Sequence, residues 1–219
     1  MLKLENVTTT IQGTEIIRDV SLHLAKGQMV GLIGRNGAGK TTLMRTVMGL
    51  LTARHGSIII DGREMVAAGP HERAKLKLGF MPEDRRLVPT LTVEENILIP
   101  AWANKIAEAD GRLAWIYELM PEVEGFAGRK ALQLSGGQQK LVALARALMS
   151  GTHILLLDEP FEGVAPALSR RLLTVLQTLK DEGLSILLSE SDYTHSADLV
   201  DDVYIIERGA VRKEAAKAA

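Results

Sequence analysis

The glycine-rich segment at residues 34–41 constrains the fold of this chain more than any other part of the sequence. It reads Gly-Arg-Asn-Gly-Ala-Gly-Lys-Thr and fits the phosphate-binding pattern G-x-x-x-x-G-K-[ST]. A short apolar run at residues 28–33 precedes it, and from Lys40 onward apolar residues recur with helical spacing. A strand, a glycine-rich turn and a helix start form a nest of backbone N–H groups that binds phosphate. The segment therefore predicts an α/β nucleotide-binding fold.

The residue types inside this segment have separate chemical reasons. Lys40 can supply positive charge to the β- and γ-phosphates, and the Thr41 hydroxyl can ligate Mg²⁺. The alternative, a glycine-rich turn that merely starts a helix, rarely produces this spacing between a strand and a helix. The predicted nucleotide-binding residues are Gly34, Arg35, Asn36, Gly37, Ala38, Gly39, Lys40, Thr41 and Thr42.

A second motif, Ile-Leu-Leu-Leu-Asp-Glu, occupies residues 154–159. Its aliphatic run is typical of a strand buried on both faces. The carboxylates of Asp158 and Glu159 would then lie where α/β sheets bind ligands, at the carboxyl ends of the strands. By itself such a pair is more often a solvated turn. Downstream of a phosphate loop, we interpret Asp158 as a Mg²⁺ ligand and Glu159, with Lys40, as catalytic.

The third motif, Leu-Ser-Gly-Gly-Gln, spans residues 134–138. Ser135 and Gln138 fit a capping box for the helix that follows. Gly136 and Gly137 each cost roughly 1 kcal/mol relative to Ala in a helix, so a helix start made for stability alone would not use both. Open backbone amides suit a docked anion. We therefore predict that an anion docks at this helix start, which gives the chain one phosphate-binding helix start more than a single nucleotide needs.

The remaining pattern predicts a mostly parallel sheet with helices on both faces. Two opening strands form an antiparallel addition, and helical segments between residues 100 and 150 form an inserted lobe. We predict one domain, with a core at residues 1–90 and 151–211, a helical lobe at about 91–150, and a frayed helical tail at 212–219. The elements expected after the lobe are a strand at 154–157, a helix at 166–180, a strand at 185–189, a helix at 193–200 and a strand at 202–207.

Composition excludes several other classes of protein. With 26 Lys+Arg against 27 Asp+Glu, the net charge is −1, which argues against a general nucleic-acid binder. The chain has no cysteine, so a disulfide framework or thiolate metal site is excluded. Its apolar runs fall far short of the ~20 residues of a membrane span. We expect a soluble protein of the cytoplasm.

The three motifs, in this order and spacing, resemble the nucleotide-binding subunits of ABC transporters, and the resemblance covers nearly the whole chain. It implies a P-loop NTPase core with ATP and Mg²⁺ as cofactors. It also implies a head-to-tail dimer, in which ATP lies between the phosphate loop of one subunit and residues 134–138 of the other. The second helix start is explained by this arrangement.

Finer similarity, at residues 79–86, 91–96 and 159–166, is to the shorter ATPase subunit of branched-chain amino acid and urea/amide importers. That resemblance implies a second ATPase subunit, the same or paralogous, and integral membrane permeases that dock on the helical lobe and residues 83–92. Indirectly it implies a periplasmic binding protein. It places the chain peripherally on the cytoplasmic face of the membrane.

Three positions depart from the family pattern. Glu83 replaces the usual Gln and is expected to reach Mg²⁺ or the attacking water. Ile11 replaces an aromatic residue that stacks on adenine, which predicts weak discrimination between bases. Ser191 stands at the switch position, usually His, where it gives a weaker contact to the transition state. His195, one predicted helical turn further, is interpreted as an exposed helix residue; the alternative is that it substitutes for the switch residue.

Two alternatives stay open at this point. One is an ABC-type ATPase outside transport, although such proteins usually carry two cassettes or a coiled-coil insertion. The other is a nucleotide-binding subunit with weak hydrolysis, which the departures at Ile11 and Ser191 would suit.

Overall fold

The computed structural model describes residues 1–192 and 194–214. Its strands are β1 (Leu2–Ile11), β2 (Thr14–Leu24), β3 (Met29–Ile33), β4 (Ala53–Ile60), β5 (Arg63–Glu64), β6 (Leu78–Met81), β7 (Ile154–Asp158), β8 (Ser185–Glu190), β9 (Asp202–Glu207) and β10 (Ala210–Lys213). Its α-helices are α1 (Lys40–Val47), α2 (Pro70–Ala74), α3 (Val93–Asn104), α4 (Ala109–Leu119), α5 (Pro121–Glu124), α6 (Gly136–Ser150) and α7 (Pro166–Asp181).

A six-stranded sheet forms the centre, in the order β10-β9-β3-β8-β7-β6. All neighbours from β9 to β6 are parallel, and β10 pairs antiparallel with β9. Every residue of β3, β7 and β8 is buried, as expected for strands covered on both faces. In the register, Asp158 of β7 lies beside Ser189, and Ile33 of β3 lies beside Glu190. The chemistry-bearing ends of three strands therefore meet at one edge.

Alternate residues of the central strands belong to two separate cores. Ile154 and Leu156 pack with α1 and with the antiparallel sheet of order β2-β1-β4-β5. Leu155 and Leu157 pack instead with residues of α3 to α7. The sheet is thus covered on both faces, and the predicted antiparallel addition at the N-terminal end of the chain is confirmed.

The inserted helices run from Val93 to Ser150, between β6 and β7; the division into core and lobe stays a prediction. Helix α3 begins before residue 100 and contains Pro100. The helix continues through the proline because Val93, Ile97 and Ala101 form one buried stripe, and packing of that stripe outweighs the lost N–H. It ends at Asn104, before Lys105 in the left-handed conformation (φ 52°).

Two expectations near the C-terminal end are wrong. No helix forms at residues 194–200, which are turns, while Tyr193 lies outside the described residues. The Asp192 carboxylate accepts a hydrogen bond from the Thr194 N–H at 2.9 Å, and such local bonds compete with helix formation. In the predicted helical tail, Arg212 and Lys213 belong to β10, because pairing with β9 overrides helix propensity. Residues 215–219 lie outside the described part of the chain.

Among the described residues, none of the helices combines the length and apolarity that a membrane span requires.

Candidate functional site

A cavity of about 340 Å³ lies where β3 passes through the phosphate loop into α1. Gly39 precedes the first residue of α1 with φ 116°, a conformation that only glycine adopts readily, so the amino end of the helix opens toward the cavity. Gly34, Arg35 and Ala38 of the predicted set do not line this cavity. The lining residues are Ile16, Asn36, Gly37, Gly39, Lys40, Thr41, Thr42, Glu83 and Glu159.

Lys40 is almost fully buried at the base of this cavity. Its ammonium group donates to the carbonyls of Gly34 and, at 3.1 Å, Arg35, both in the phosphate loop. It also forms an ion pair of 2.9 Å with Oε1 of Glu159. A phosphate group that enters the cavity would therefore compete with the Glu159 carboxylate for this cation. Lys40 therefore links the binding of phosphate to the loss of its ion pair with the Glu159 carboxylate.

Asp158 ends β7 and is completely buried. Its Oδ1 accepts a hydrogen bond of 2.7 Å from the Ser189 hydroxyl. Its Oδ2 has no hydrogen-bond partner among residues 1–192 and 194–214. A buried carboxylate oxygen without a donor suits a hard cation, and the Thr41 hydroxyl on the cavity wall is a second oxygen ligand of the kind Mg²⁺ prefers. These residues fit a magnesium site.

Glu83 lies exposed at the mouth of the cavity. Partial burial of its carboxyl group raises its pKa, and the nearby carboxylates of Glu162, Asp158 and Glu159 raise it further. The accumulated negative charge favours a cation at this edge of the sheet.

Both backbone polar groups of Glu159, the N–H and the carbonyl, are hydrogen-bonded. Its backbone adopts a left-handed conformation (φ 51°), which is costly for a residue with a side chain. Its N–H donates to the carbonyl and hydroxyl oxygens of Ser189 at 3.2 and 3.1 Å, and its carbonyl accepts from the Lys140 ammonium at 2.7 Å. The surroundings therefore fix the carboxylate relative to the phosphate loop.

Ser191 bridges the phosphate loop and Glu159. Its hydroxyl lies 3.0 Å from Oδ1 of Asn36 and 3.1 Å from Oε1 of Glu159. One hydroxyl hydrogen serves only one acceptor, so the Asn36 amide must present its nitrogen to Ser191 for both bonds to form. Ser191, at the switch position, thus contacts the Glu159 carboxylate directly.

His195 stands in an exposed turn rather than on the expected helix. Its ring lies 5.2 Å from the ring of Phe161, centroid to centroid. Together with Glu159, Glu190 and Ser191 it borders a small pocket of about 140 Å³. Its position beside Glu159 agrees with a supporting role at the switch, which stays a prediction.

Glu190 ends β8 and is nearly fully buried. Its Oε2 accepts a hydrogen bond from the Ser196 hydroxyl, while Oε1 has no partner within the described part of the chain. Burial raises the pKa of Glu190 to about 7, and the negative charges of Asp192 and Glu159 act in the same direction. Glu190 therefore titrates close to neutral pH.

The segment at residues 134–138 starts α6 and does not line the 340 Å³ cavity. Ser135 accepts from the Gln138 N–H at 3.3 Å, and the Gln138 side chain accepts from the Ser135 N–H at 3.0 Å, so the capping box is present. A Cβ on Gly137 would lie 2.7 Å from Cδ2 of Leu168. That atom is the end of a flexible side chain that can move aside, so packing alone does not require glycine at position 137. Gly136 is exposed, and the docking of an anion at both glycines stays a prediction.

Sequence reasoning missed three residues of the site. Ile16 lines the nucleotide cavity, whereas Ile11, expected near the base, does not line it and is 38% exposed. Ser189 and Lys140 hold Asp158 and Glu159 in place. For Lys140 a signal existed, because it shares the buried face of α6 with Leu144 and Ala147 at helical spacing.

Comparison with known proteins agrees with this geometry. The family described as ABC transporter matches residues 17–162. The high-affinity branched-chain amino acid transport ATP-binding protein BraG of Pseudomonas aeruginosa is 34% identical over 96% of this chain and 91% of its own length. The lipopolysaccharide export system ATP-binding protein LptB of Escherichia coli K12 is 32% identical over 95% of this chain and 87% of its own.

Solved structures of ABC transporter cassettes have the same fold. The dimeric structure of a bacterial ABC transporter cassette superposes with a TM-score of 0.88 at 28% identity and covers 100% of both chains. A second structure of that cassette, in a post-hydrolysis state bound to ADP and Pi, has a TM-score of 0.86 at 27% identity over the same full lengths. The P-loop NTPase fold is confirmed. The chain belongs to the ABC transporter family, as an ATP-binding subunit whose hydrolysis of ATP is coupled to transport.

Proposed function

We propose that this chain powers an importer of branched-chain amino acids or related amides. The observation that supports the importer is the 34% identity to a branched-chain amino acid transport ATPase along 96% of the chain. A second candidate, lipopolysaccharide export, is supported by the 32% identity to LptB. The catalytic arrangement proposed below is common to both.

The nucleotide would bind with its phosphates against residues 34–42. Lys40 would turn from Glu159 to the β- and γ-phosphates, while its bonds to the loop carbonyls keep it at the base of the cavity. Thr41, Asp158 and Glu83 would hold Mg²⁺, which supplies positive charge to the transferring phosphoryl group. The unpartnered Oδ2 of Asp158 supports this assignment.

Glu159 would act as the general base once phosphate has taken its lysine partner. Its carboxylate would accept the proton of the attacking water, and Ser191, 3.1 Å away, would hold the carboxylate in place. The backbone contacts to Ser189 and Lys140 limit its movement. Hydrolysis depends mainly on this positioning, because phosphoryl transfer needs little covalent chemistry from the protein.

The proposed head-to-tail dimer completes the site. Ser135, Gly136, Gly137 and Gln138 of one subunit would contact the nucleotide held by the phosphate loop of the other. Because Ser135 and Gly136 are exposed and do not line their own cavity, a second subunit could supply what each site lacks. The related cassette of known structure is dimeric.

Permeases would dock on the helical lobe and on residues 83–92, which puts the chain at the cytoplasmic face of a membrane. Three large apolar side chains in this region are solvent-exposed, Val88, Trp102 and Leu132, at 38%, 56% and 59%. The buried side chain of Asn96 binds the loop firmly, accepting from the Val88 N–H at 2.7 Å and donating to the Thr92 carbonyl at 2.8 Å. We expect neither a nucleic-acid partner nor direct contact with the periplasmic binding protein.

The catalytic proposal is tested by hydrolysis of MgATP with purified chain, alone and mixed with a second ATPase subunit. Glu159→Gln should lower kcat at least about 100-fold, the usual value of a general base, and leave ATP binding intact. Exposed Glu15→Gln is the matched control and should hydrolyse normally. Full activity of Glu159→Gln would remove Glu159 from this role.

The transported class is tested in cells that lack this chain. The importer proposal expects uptake of radiolabelled leucine or acetamide to fall while the outer-membrane lipopolysaccharide stays normal. The export candidate expects the reverse. Complementation by wild-type chain, but not by Glu159→Gln, shows that ATP hydrolysis is the missing function.

A further inference from the structure

Lys140 is buried in the second turn of α6, with 3% of its surface exposed. Its ammonium group donates a hydrogen bond of 2.7 Å to the backbone carbonyl of Glu159 and a second bond to that of Glu162. These carbonyls stand at the two ends of one turn, which the Glu162 N–H closes by donating to the Glu159 carbonyl at 3.3 Å. One lysine thus spans the turn that follows β7.

This turn carries the strained residue of the site. Glu159 has a φ of 51°, and strain of this kind persists only where the surroundings over-determine the backbone. Ser189 holds the N–H side of Glu159, and Lys140 holds the carbonyl side. Removing the ammonium would leave two carbonyls without their charged donor and free the turn to relax toward ordinary backbone angles.

Lys140 lies close to the amino end of α6, so its contact connects that end of the helix to Glu159. The helix begins at Gly136, and Ser135 caps it. Lys140 follows one turn after these exposed residues, on the face that points toward β7. A displacement of the amino end of α6 therefore reaches the backbone of Glu159 through one rigid helical turn and one side chain.

We propose that Lys140 is a positioning residue that couples the exposed start of α6 to the general base of the same subunit. The inference rests on the proposed function, in which Glu159 accepts the proton of water and the start of α6 contacts the partner's nucleotide. Lys140 itself does not line the 340 Å³ cavity. It sets where the Glu159 carboxylate stands when the two subunits close.

The test compares Lys140→Met with Lys180→Met in the full chain. Lys180 is a matched control because its ammonium also donates to a backbone carbonyl, that of Leu199 at 2.6 Å, and pairs with Asp201, while it lines neither the 340 Å³ cavity nor the 140 Å³ pocket. We expect Lys140→Met to lower kcat at least about tenfold, because a displacement near 1 Å costs up to about 100-fold. KM and the dissociation constant for ATP should stay within about twofold, and Lys180→Met should hydrolyse normally.

Lys140→Arg is the conservative variant and should recover part of the lost kcat, since a guanidinium can donate to both carbonyls. Wild-type kcat in Lys140→Met would overturn the proposal. So would a parallel loss of kcat, ATP affinity and melting temperature without recovery in Lys140→Arg, which indicates a purely structural role.

A double-mutant cycle with Glu159→Gln, measured by single-turnover hydrolysis, distinguishes a failure of the Lys140 proposal from a failure of the proposed role of Glu159 as general base. If Lys140 acts through Glu159, Lys140→Met should slow the Glu159→Gln enzyme by less than twofold further. Fully multiplicative losses would contradict the coupling and leave Glu159 as the base. Normal hydrolysis by Glu159→Gln alone would contradict the function itself.

Discussion

Glu190 is a buried acid whose charge opposes folding at physiological pH. Its pKa rises from the ordinary 4.5 to about 7 because the carboxyl group is buried and faces Asp192 and Glu159. The folded state therefore holds the proton more tightly than the unfolded state. The stability contributed by protonated Glu190 is full below pH 4.5 and is lost as pH rises through 7.

We predict that Glu190→Gln stabilises the chain at pH 8 by on the order of 2 kcal/mol, since the neutral amide avoids the buried charge. The difference from wild type should shrink steadily between pH 7 and pH 5. Urea denaturation at several pH values measures it, with exposed Glu15→Gln as a control that should show no such trend. A Glu190→Gln variant less stable than wild type at pH 8 would contradict the assignment.

The base end of the nucleotide cavity predicts poor discrimination between ATP and GTP. Ile16, which lines the cavity, offers dispersion but no ring to stack on, and Ile11 stands outside the lining. We expect the dissociation constants of ATP and GTP to agree within about threefold, because an aliphatic side chain contacts either purine by dispersion alone and the missing ring weakens both by on the order of 1 kcal/mol. Competition binding measures the ratio, and Ile16→Ala should weaken both nucleotides alike. A strong preference for ATP would refute this.

A role could be predicted from the sequence for residues that belong to a local motif. Lys40 and Thr41 occupy fixed places in the phosphate loop, and Asp158 and Glu159 end an aliphatic strand. The helical spacing marks Lys140 as a buried lysine of α6, but its partners could not be predicted, because they are backbone carbonyls 19 and 22 residues along the chain without a sequence signature. Contacts to carbonyls depend on the path of the chain, which side-chain patterns leave open.

At the scale of elements, α1 depends on a buried arginine at its carboxyl end. Arg73 of α2 is 1% exposed, and its guanidinium donates to the carbonyls of Thr46 and Val47 at 2.8 and 2.7 Å. It also donates to Ala68 and Val66 in the preceding loop. The last carbonyls of a helix lack partners inside the helix. Arg73 donates hydrogen bonds to the carbonyls of the last two residues of α1 and so connects α1 to α2.

We predict that Arg73→Met destabilises the chain by about 3 kcal/mol, since the Val47 carbonyl loses its charged donor and the Thr46 carbonyl keeps the Gly49 N–H at 3.0 Å. The affinity for ATP should fall as well, because the same helix carries Lys40 and Thr41 at its other end. Chemical denaturation and ATP titration measure the two effects, and Arg63→Met on exposed β5 is the control. Unchanged stability in Arg73→Met would show that these bonds contribute nothing net.

Elements were predictable where one physical signal dominated. The strands β3, β7 and β8 could be predicted because a short, mostly apolar run is typical of a strand that is buried on both faces. The helix expected at residues 193–200 was wrong because apolar spacing there competes with the side-chain bonds of Asp192 and Thr194. The continuation of α3 through Pro100 likewise depends on a buried stripe that only tertiary contact provides.

At the scale of the molecule, the two phosphate-binding helix starts belong to different surfaces. The start of α1 opens into the chain's own cavity, whereas the start of α6 is exposed at Ser135 and Gly136. In the proposed head-to-tail dimer, each cavity would lie against the α6 start of the other chain, so that all four helix starts would contact the two bound nucleotides.

This arrangement predicts dimerisation that depends on ATP and on Gly136. Glu159→Gln with MgATP, which traps the nucleotide, should double in mass by light scattering, alone or when mixed with a paralogous ATPase subunit. Adding Gly136→Asp should abolish the dimer, because a carboxylate would stand where the partner's phosphate docks, while acids in the first turn of a helix favour folding. Gly111→Asp is the matched control, since Gly111 is exposed in the first turn of α4 with open space around it. If Glu159→Gln stays monomeric with MgATP both alone and mixed, the shared site is wrong and the exposed start of α6 needs another ligand.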